Sequence, residues 1–372
     1  MSFFRNQRSL ALLLSASALL GLLVANSPLA DAINALEHTR VGFAHIGLEL
    51  SVGSWVEDLL LPIFFLLVGL ELKHEILHGQ FKNKRRLVTP ALAALFGVVV
   101  PALVYLAVTA QDAVALKGWA IPTATDITFA LAVFTLFGAT MPAASRTFLM
   151  AFATIDDVIA ILLIAILFGS GMQPLGLVGA AVAGVGFWLL QKSDRFVALS
   201  WGLALVAWFF TLQSGIHPTV LGVALGLLVQ SERIHRYERR LQPFVGALVL
   251  PIFAFFATGI DLSGAASAVG TVVFLGVVLR PFGKIVGITL GALIGQRLLG
   301  SHAETSLGWR DYLAVSTLGG IGFTVSILVT NLALSDSPQS ADAALLATVV
   351  SAVIAVGIGA VALRYRRFSK TA

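Results

Sequence analysis

The chain has 372 residues, of which 58% are hydrophobic and only 12% are charged, with no cysteine and a formal net charge of +5. A soluble domain carries about 25% charged residues, so this composition excludes an ordinary soluble enzyme. The missing cysteines exclude disulfides, thiolate metal sites and thiol catalysis. The positive charge does not indicate nucleic-acid binding, because the basic residues form short clusters between apolar segments, as membrane orientation requires.

Apolar runs of about 18 or more residues, long enough to cross a bilayer, recur along the whole sequence. They are continuous rather than alternating, which excludes the strands of an outer-membrane β-barrel. The predicted fold class is therefore an all-α polytopic membrane protein of about twelve transmembrane helices, with the lipid bilayer as its main solvent. The predicted helices cover residues 9–28, 55–77, 88–109, 119–138, 146–168, 175–191, 196–212, 217–231, 243–261, 270–296, 312–334 and 341–364.

The basic residues predict how these helices are oriented. Most of the 24 Lys and Arg residues fall on one side of the predicted map, and only Arg40 and Lys117 fall on the other. Because cytoplasmic loops hold the excess of positive charge, both termini are predicted to be cytoplasmic. The first apolar run, after Arg5 and Arg8, is long for a cleaved signal peptide and is interpreted as a retained helix.

Residues 40–54, RVGFAHIGLELSVGS, are too polar to span a membrane. They alternate apolar with small or polar residues around a glycine, which predicts a short β-hairpin on the outer side. No second soluble domain and no low-complexity linker is found, so residues 1–372 are interpreted as one integral membrane domain.

A cluster of titratable residues ends the second predicted helix, in the segment GLELKHEILH. Glu71, His74 and Glu75 lie there, and Glu238 lies with His235 in the later segment SERIHRYERR. Histidines among carboxylates titrate near neutral pH, which favours a role in pH response. Solvated charge at a helix end is an equally ordinary interpretation, and both remain open.

Two predicted helices are interrupted by residues that disrupt helical hydrogen bonding. In AIPTATDITFAL, Pro122 removes a backbone donor, and Thr125 and Asp126 can bond the freed groups. The segment STLGGIGFTVS contains three glycines, which on their own indicate close packing as readily as a break. Because one interruption falls in each half of the chain, together they favour a transporter site near the midplane.

Asp156 and Asp157 form an adjacent pair in the otherwise apolar segment ATIDDVIAILLIAI. A charged residue in hydrocarbon is costly and therefore a functional candidate. Two nearby carboxylates resist double ionisation and can hold either a proton or a hard cation, which is the competition that antiport requires. The alternatives are a structural pair neutralised by Arg280 and Lys284, and an aspartyl protease, whose GxGD motif is absent.

His217, at the start of a predicted helix in LQSGIHPTV, is interpreted as a capping or packing residue rather than an ion ligand. Asp58 lies near the beginning of the second predicted helix. A continuous charged or carbonyl-lined ring, which a passive channel needs, is not identified.

The chain resembles the NhaA family of Na+/H+ antiporters from about residue 8 to 366. The resemblance rests on the ordered motifs FFLLVGLELKHE, GWAIPTATDITFAL, TFLMAFATIDDVIAI, SGIHPTVLGV, LPIFAFFATGI and GGIGFTVSI. It implies inverted repeats, two broken helices crossing at the midplane, and a homodimer formed through the outer hairpin. It also implies a core bundle at about 88–168 and 270–366 and an interface part at about 9–77 and 175–261.

The resemblance further implies roles for individual residues. Asp157 and Asp156 would bind the ion and the proton, and Thr125 and Asp126 would sit at the helix crossing. Glu71, Glu75 and Glu238 would line a cytoplasmic pH-responsive region. His74 and His217 are predicted to take part in the same pH response.

The chain departs from the family pattern in three places. The family's lysine, which pairs with the first aspartate of the couple, aligns with Arg280, and Lys284 follows one turn later. His74 replaces the family's arginine beside the helix-2 acids, and FAFFATG lacks the asparagine of FAFANAG.

The function predicted is secondary active transport, with inward H+ movement driving Na+ or Li+ out across a bacterial inner membrane, in a pH-dependent and electrogenic exchange. No catalytic residue and no cofactor are predicted, and the chain is not interpreted as an enzyme. The alternative is a sodium-coupled symporter of similar fold, which would favour a polar crossing rich in Asn, Gln and Ser over an acidic pair.

Overall fold

The computed structural model describes residues 7–79, 84–169, 171–260, 268–299 and 307–368. Three of the basic residues that predict the orientation, Arg5, Lys82 and Lys370, lie outside the described residues. The chain divides into two compact units. Among the described residues, unit 1 comprises those at 13–79 and 161–259, and unit 2 comprises those at 7–12, 84–160 and 260–368.

Helices account for nearly all the regular structure of the described residues. In chain order the helices and strands are α1 (Gln7–Ala25), α2 (Ala30–His38), β1 (Arg40–Phe43), β2 (Leu48–Ser51), α3 (Val52–Trp55), α4 (Leu61–Leu77), α5 (Lys84–Thr109), α6 (Ala113–Leu116), α7 (Ile127–Phe137), α8 (Ala143–Leu167), α9 (Pro174–Leu190), α10 (Val197–Ser214), α11 (Pro218–Leu228), α12 (Ile234–Phe244), α13 (Leu250–Ala257), α14 (Val272–Val278), α15 (Arg280–Leu299), α16 (Trp309–Gly319), α17 (Thr324–Ala333) and α18 (Pro338–Phe368). Short π-helical segments, Val56–Leu60 and Val245–Val249, lead into α4 and α13.

The predicted fold class is confirmed. Each segment that the sequence predicts to cross the membrane contains helix within the described part of the chain. Six of these helices are long and apolar enough to span a bilayer, and up to nine spans result if each bent pair counts as one. The shorter apolar helices α9 and α11 fall below that length.

The predicted hairpin is present, because β1 pairs with β2 in antiparallel register. Arg40 is opposite Ser51, and Phe43 is opposite Leu48. Gly47 closes the turn with φ +71°, a left-handed conformation that favours glycine.

In unit 2, a stripe of glycines allows α15 to lie directly against α5. A Cβ at Gly287 would lie 2.2 Å from the Phe96 carbonyl oxygen, and one at Gly291 would lie 2.2 Å from that of Leu92. Small residues at four-residue spacing are the usual means by which membrane helices approach closely. This contact fixes the helix that carries both intramembrane basic residues.

In unit 1, α4 and α11 approach each other in the same way. A Cβ at Gly222 would lie 2.3 Å from the Pro62 carbonyl oxygen, and one at Gly226 would lie 2.5 Å from that of Leu66. Buried apolar side chains continue the packing around this contact, including Leu66, Phe187, Leu225 and Ile234.

Candidate ion-binding site

Two interrupted helices of unit 2 cross at their breaks. The first break separates the 3-10 helix Lys117–Thr123 from α7, with a bend of 48°. The second separates α16 from α17, with a bend of 54°. The interruptions predicted from Pro122 and from the glycine-rich segment are therefore both confirmed.

Hydrogen bonds join the two extended segments directly. The backbone N–H of Asp126 donates to the carbonyl oxygen of Ile321 at 2.6 Å, and the Thr125 hydroxyl donates to that of Gly319 at 2.8 Å. The close approach requires a glycine, since a Cβ at Gly322 would lie 2.4 Å from the Ala124 carbonyl oxygen. The breaks thus satisfy each other's backbone groups, which is necessary where water is excluded.

The carboxylate of Asp126 bonds to the N-terminal ends of both half-helices. Its Oδ1 accepts from the backbone N–H groups of Thr128 and Phe129, at 3.2 and 3.4 Å, and so caps α7. Its Oδ2 accepts from the hydroxyl of Thr324, the first residue of α17, at 3.0 Å. A negative charge at helix N-termini is favourable because the helix dipole leaves partial positive charge there.

Asp156 forms a fully buried salt bridge with Lys284. The Lys284 ammonium donates to both carboxylate oxygens, at 2.9 and 2.8 Å, and the two side chains are 1% and 0% exposed. Thr125, at the crossing, is close enough to act electrostatically on Asp156. The salt bridge therefore lies beside the crossing.

Asp157 follows Asp156 on α8 and is 7% exposed. Consecutive residues on a helix point about 100° apart, so the two carboxylates border the same region from different directions. Asp157 interacts electrostatically with Lys284. One ammonium group therefore acts on both members of the aspartate pair.

The resemblance matches Arg280 to the family's lysine that pairs with the first aspartate of the couple. Arg280 is therefore expected to pair with Asp156. This expectation is wrong, because the partner of Asp156 is Lys284. Residues four apart share a face of a helix, so a lysine one turn later on α15 reaches the same region. Matching Arg280 to the family's lysine therefore did not identify the residue that pairs with Asp156.

The guanidinium of Arg280 is bound by neutral oxygens instead. It donates to the hydroxyls of Ser326 at 2.8 Å and Ser351 at 2.5 Å, and to the carbonyl oxygen of Thr348 at 3.3 Å. Its charge interacts electrostatically with Asp126. Arg280 and Lys284 thus interact with different aspartates of unit 2, Asp126 and Asp156.

The sequence did not point to the residues that hold Arg280, nor to Thr324. Isolated Ser and Thr residues are common in apolar helices, where they bond the carbonyl of the preceding turn. Nothing in their spacing distinguishes Ser326 or Ser351 from such residues. Only the folded backbone shows that their hydroxyls face a guanidinium.

The titratable residues predicted at the end of α4 are brought together with α12 in unit 1. Glu71 interacts electrostatically with Glu238 and Glu75. The Nδ1 atom of His74 lies 3.5 Å from an oxygen of Glu238. The structure therefore forms one cluster from two segments that are distant in sequence.

His217 caps a helix, as the sequence interpretation expected. Its Nδ1 accepts from the backbone N–H of Thr219 at 3.3 Å, at the beginning of α11. Its Nε2 lies 3.8 Å from Oδ1 of Asp58. In addition, the Trp208 indole donates to the backbone carbonyl of Asp58.

Comparison with known proteins gives a consistent result over the whole chain. Residues 1–363 match the family described as Na+/H+ antiporter 1. The chain is 41% identical to Na+/H+ antiporter NhaA 2 of Clavibacter michiganensis subsp. michiganensis, with 98% of this chain and 92% of the relative covered. It is 37% identical to Na+/H+ antiporter NhaA of Thermobifida fusca, with 95% and 91% covered.

A solved structure supports the fold. The sodium proton antiporter MjNhaP1 from Methanocaldococcus jannaschii superposes with a TM-score of 0.61, covering 96% of this chain and 91% of that chain. Their sequence identity is 17%. At this identity the likeness concerns the arrangement of helices, not individual site residues.

Proposed function

The chain belongs to the Na+/H+ antiporter 1 family, and from this premise we propose that it expels Na+ or Li+ in exchange for H+ at Asp156 and Asp157. The observation that carries this assignment is the buried salt bridge between Lys284 and Asp156, directly beside Asp157. An ionisable group inside a membrane protein typically marks an ion or proton pathway.

The proposed mechanism is competition for the carboxylates. In the proton-loaded state Lys284 is an ammonium bound to Asp156, and Asp157 carries a proton. When both protons leave, the neutral amine no longer competes, and the carboxylate oxygens of Asp157 and Asp156 bind Na+. Hard cations prefer such oxygen ligands, so Li+ is expected to be accepted as well.

This mechanism makes the exchange electrogenic. One proton leaves Asp157 and one leaves Lys284, while a single Na+ takes their place. Two positive charges are thus exchanged for one, and each cycle moves one net charge across the membrane. A membrane potential that is negative inside then drives the uptake of protons and the expulsion of Na+.

Arg280 and Asp126 have a supporting role in this proposal. Arginine is not deprotonated in proteins, so Arg280 keeps its charge throughout the cycle. Asp126 caps α7 and also bonds to the N-terminal residue of α17. Together they compensate the charges of the broken helices while Lys284 and Asp157 titrate.

We also propose that the cluster on α4 and α12 makes exchange pH-dependent. Neighbouring carboxylates raise the pKa of one another toward neutrality, because their charges repel. The residues assigned to this response are Glu71, His74, Glu75 and Glu238, together with His217 beside Asp58. The assembly proposed is a homodimer in the bacterial inner membrane, joined through the hairpin, with both termini cytoplasmic.

Ion exchange in proteoliposomes tests the proposal. Vesicles with an acidic lumen are diluted into Na+, Li+ or K+ at equal ionic strength, and a fluorescent dye reports the pH gradient. Na+ and Li+ should collapse the gradient, and an imposed membrane potential should change the rate. Dissipation that requires an organic anion together with Na+ would instead show a symporter.

A further inference from the structure

A second cluster of ligand-type side chains lies outside the helix crossing. It consists of His74 at the end of α4 with His235 and Glu238 on α12. One ligand atom from each of the three lies within 4.8 Å of the others. We propose that these residues form a binding site for a divalent transition-metal ion of the Zn2+ class, with His78 as a fourth ligand.

The distances in this cluster fit coordination better than hydrogen bonding. The Nδ1 atoms of His74 and His235 lie 3.5 and 3.4 Å from the same carboxylate oxygen of Glu238. A charge-assisted hydrogen bond is shorter, at about 2.7–2.9 Å. Tetrahedral ligands at about 2.1 Å from Zn2+ are separated from one another by about 3.4 Å. Both imidazole–carboxylate distances are thus already at the spacing that one central ion would impose, and all three donor atoms lie within 4.8 Å of one another.

His78 completes the donor set with a modest movement. It follows His74 by one helical turn, which is the spacing by which a single helix supplies two imidazole ligands. Its ring centroid is 5.5 Å from that of His74 and 6.4 Å from that of His235. His78 is exposed at the C-cap of α4, so its side chain has room to change rotamer.

Two neighbouring carboxylates favour a cation at this cluster, although α12 also carries Arg236, Arg239 and Arg240. Glu71 and Glu75 lie within electrostatic reach of the cluster and add negative charge. The nearby ammonium of Lys73 is directed away, since it donates to the carbonyl oxygens of Leu227 and Val229 at 2.7 and 2.5 Å. The positive charge of Lys73 is therefore stabilised by carbonyl oxygens at the C-terminal end of α11.

The chemistry of this site differs from that of the transported ion. Imidazole nitrogens suit Zn2+ and related metals, whereas Na+ prefers oxygen ligands. The inference therefore goes beyond the proposed exchange activity and does not depend on it. A metal bound here would join the end of α4 to α12 within unit 1.

Direct binding tests the proposal. The full-length protein, free of any polyhistidine tag, is titrated in detergent with Zn2+ against a chromophoric chelator in excess Na+. One Zn2+ per chain is expected, together with a rise in Tm that a chelator reverses, because a ligand bound only to the folded state stabilises it. Co2+ in place of Zn2+ should give the visible spectrum of tetrahedral nitrogen and oxygen coordination.

Matched variants distinguish specific Zn2+ coordination by this cluster from incidental Zn2+ binding elsewhere. His74→Gln and His235→Gln should each raise the Kd by about tenfold or more, because even the loss of an outer-shell partner costs that much. His38→Gln removes an exposed histidine elsewhere in unit 1 and should leave binding unchanged. If the His74→Gln/His235→Gln double variant binds Zn2+ as tightly as the unaltered protein, the proposed site is wrong. These readouts do not involve ion exchange, so they stand whether or not Asp157 carries Na+.

Discussion

Lys284 and Asp156 form a salt bridge through both carboxylate oxygens, at 2.9 and 2.8 Å, in a position where neither side chain is more than 1% exposed. Compared with well-packed apolar residues, a buried ion pair adds little stability, but removing one partner costs about 3–5 kcal/mol. Stability alone therefore does not account for the pair. The proposed mechanism, in which Lys284 releases its proton and vacates the carboxylate, accounts for it.

The first prediction concerns the main ion ligand. Asp157→Asn should abolish Na+-driven proton release, because an amide can neither take up a proton at neutral pH nor provide a charged ligand for Na+. The measurement is dissipation of the pH gradient in proteoliposomes. Asp336→Asn is the control, because it breaks an exposed ion pair with Lys117 that contributes little. Unchanged Na+ exchange by Asp157→Asn would exclude Asp157 as the site.

The second prediction concerns the close approach at the crossing. Gly322→Ala should lower the Tm and reduce exchange, because the new Cβ would lie 2.4 Å from the Ala124 carbonyl oxygen. The matched control is Gly357→Ala on α18, where a Cβ meets nothing within 4 Å. Alanine there should stabilise the helix by about 0.5–1 kcal/mol. Equal effects of the two changes on Tm would contradict the role assigned to Gly322.

The helix breaks illustrate which features the sequence determines locally. Pro122 and the glycines of STLGGIGFTVS act on their own backbone, so the interruptions were predictable. Asp126 was recognised as a polar group near a break for the same reason. Its bond to Thr324, nearly 200 residues away, depends on how α17 packs.

The pairing of the two basic residues could not be predicted from the sequence. Arg280 and Lys284 share one face of α15, so spacing alone gives either of them access to Asp156. Alignment favoured Arg280, but packing against α5 and the hydroxyls of Ser326 and Ser351 decides otherwise. Pairing of buried charges is set by tertiary contacts that single-sequence patterns do not contain.

The third prediction separates the cap of Asp126 from its charge. Asp126→Asn keeps an oxygen that can cap α7, whereas Asp126→Ala removes it, and loss of a cap costs about 0.5–2 kcal/mol. Asp126→Ala should therefore lower the Tm more than Asp126→Asn. Asp112→Ala, at the partly exposed cap of α6, is the control for capping alone. Exchange should fall in both Asp126 variants, and normal exchange in Asp126→Asn would show that the charge is dispensable.

The fourth prediction concerns the outer hairpin. Deletion of residues 43–52 should weaken the proposed homodimer while leaving exchange largely intact, because Glu49 is the only acidic residue in that segment. Light scattering in detergent measures the dimer fraction, and proteoliposomes measure exchange. The same dimer content before and after deletion would count against the hairpin as the interface.

The last prediction distinguishes the proton carrier from the fixed charge. Lys284→Arg keeps a positive charge opposite Asp156, so the variant should fold, but arginine does not release a proton in proteins. Exchange should then carry one H+ for each Na+ and become electroneutral.

Arg280→Lys is the complementary change, because it keeps the positive charge on the same face of α15. It should slow exchange while leaving its stoichiometry unchanged. The stoichiometry follows from the Na+ and H+ gradients at which net exchange stops, measured at a series of imposed membrane potentials. For Lys284→Arg these gradients should not change with membrane potential, whereas for Arg280→Lys they should change as they do for the unaltered protein. If Lys284→Arg remains as electrogenic as the unaltered protein, the second proton comes from another group, and Lys284 serves only to neutralise Asp156.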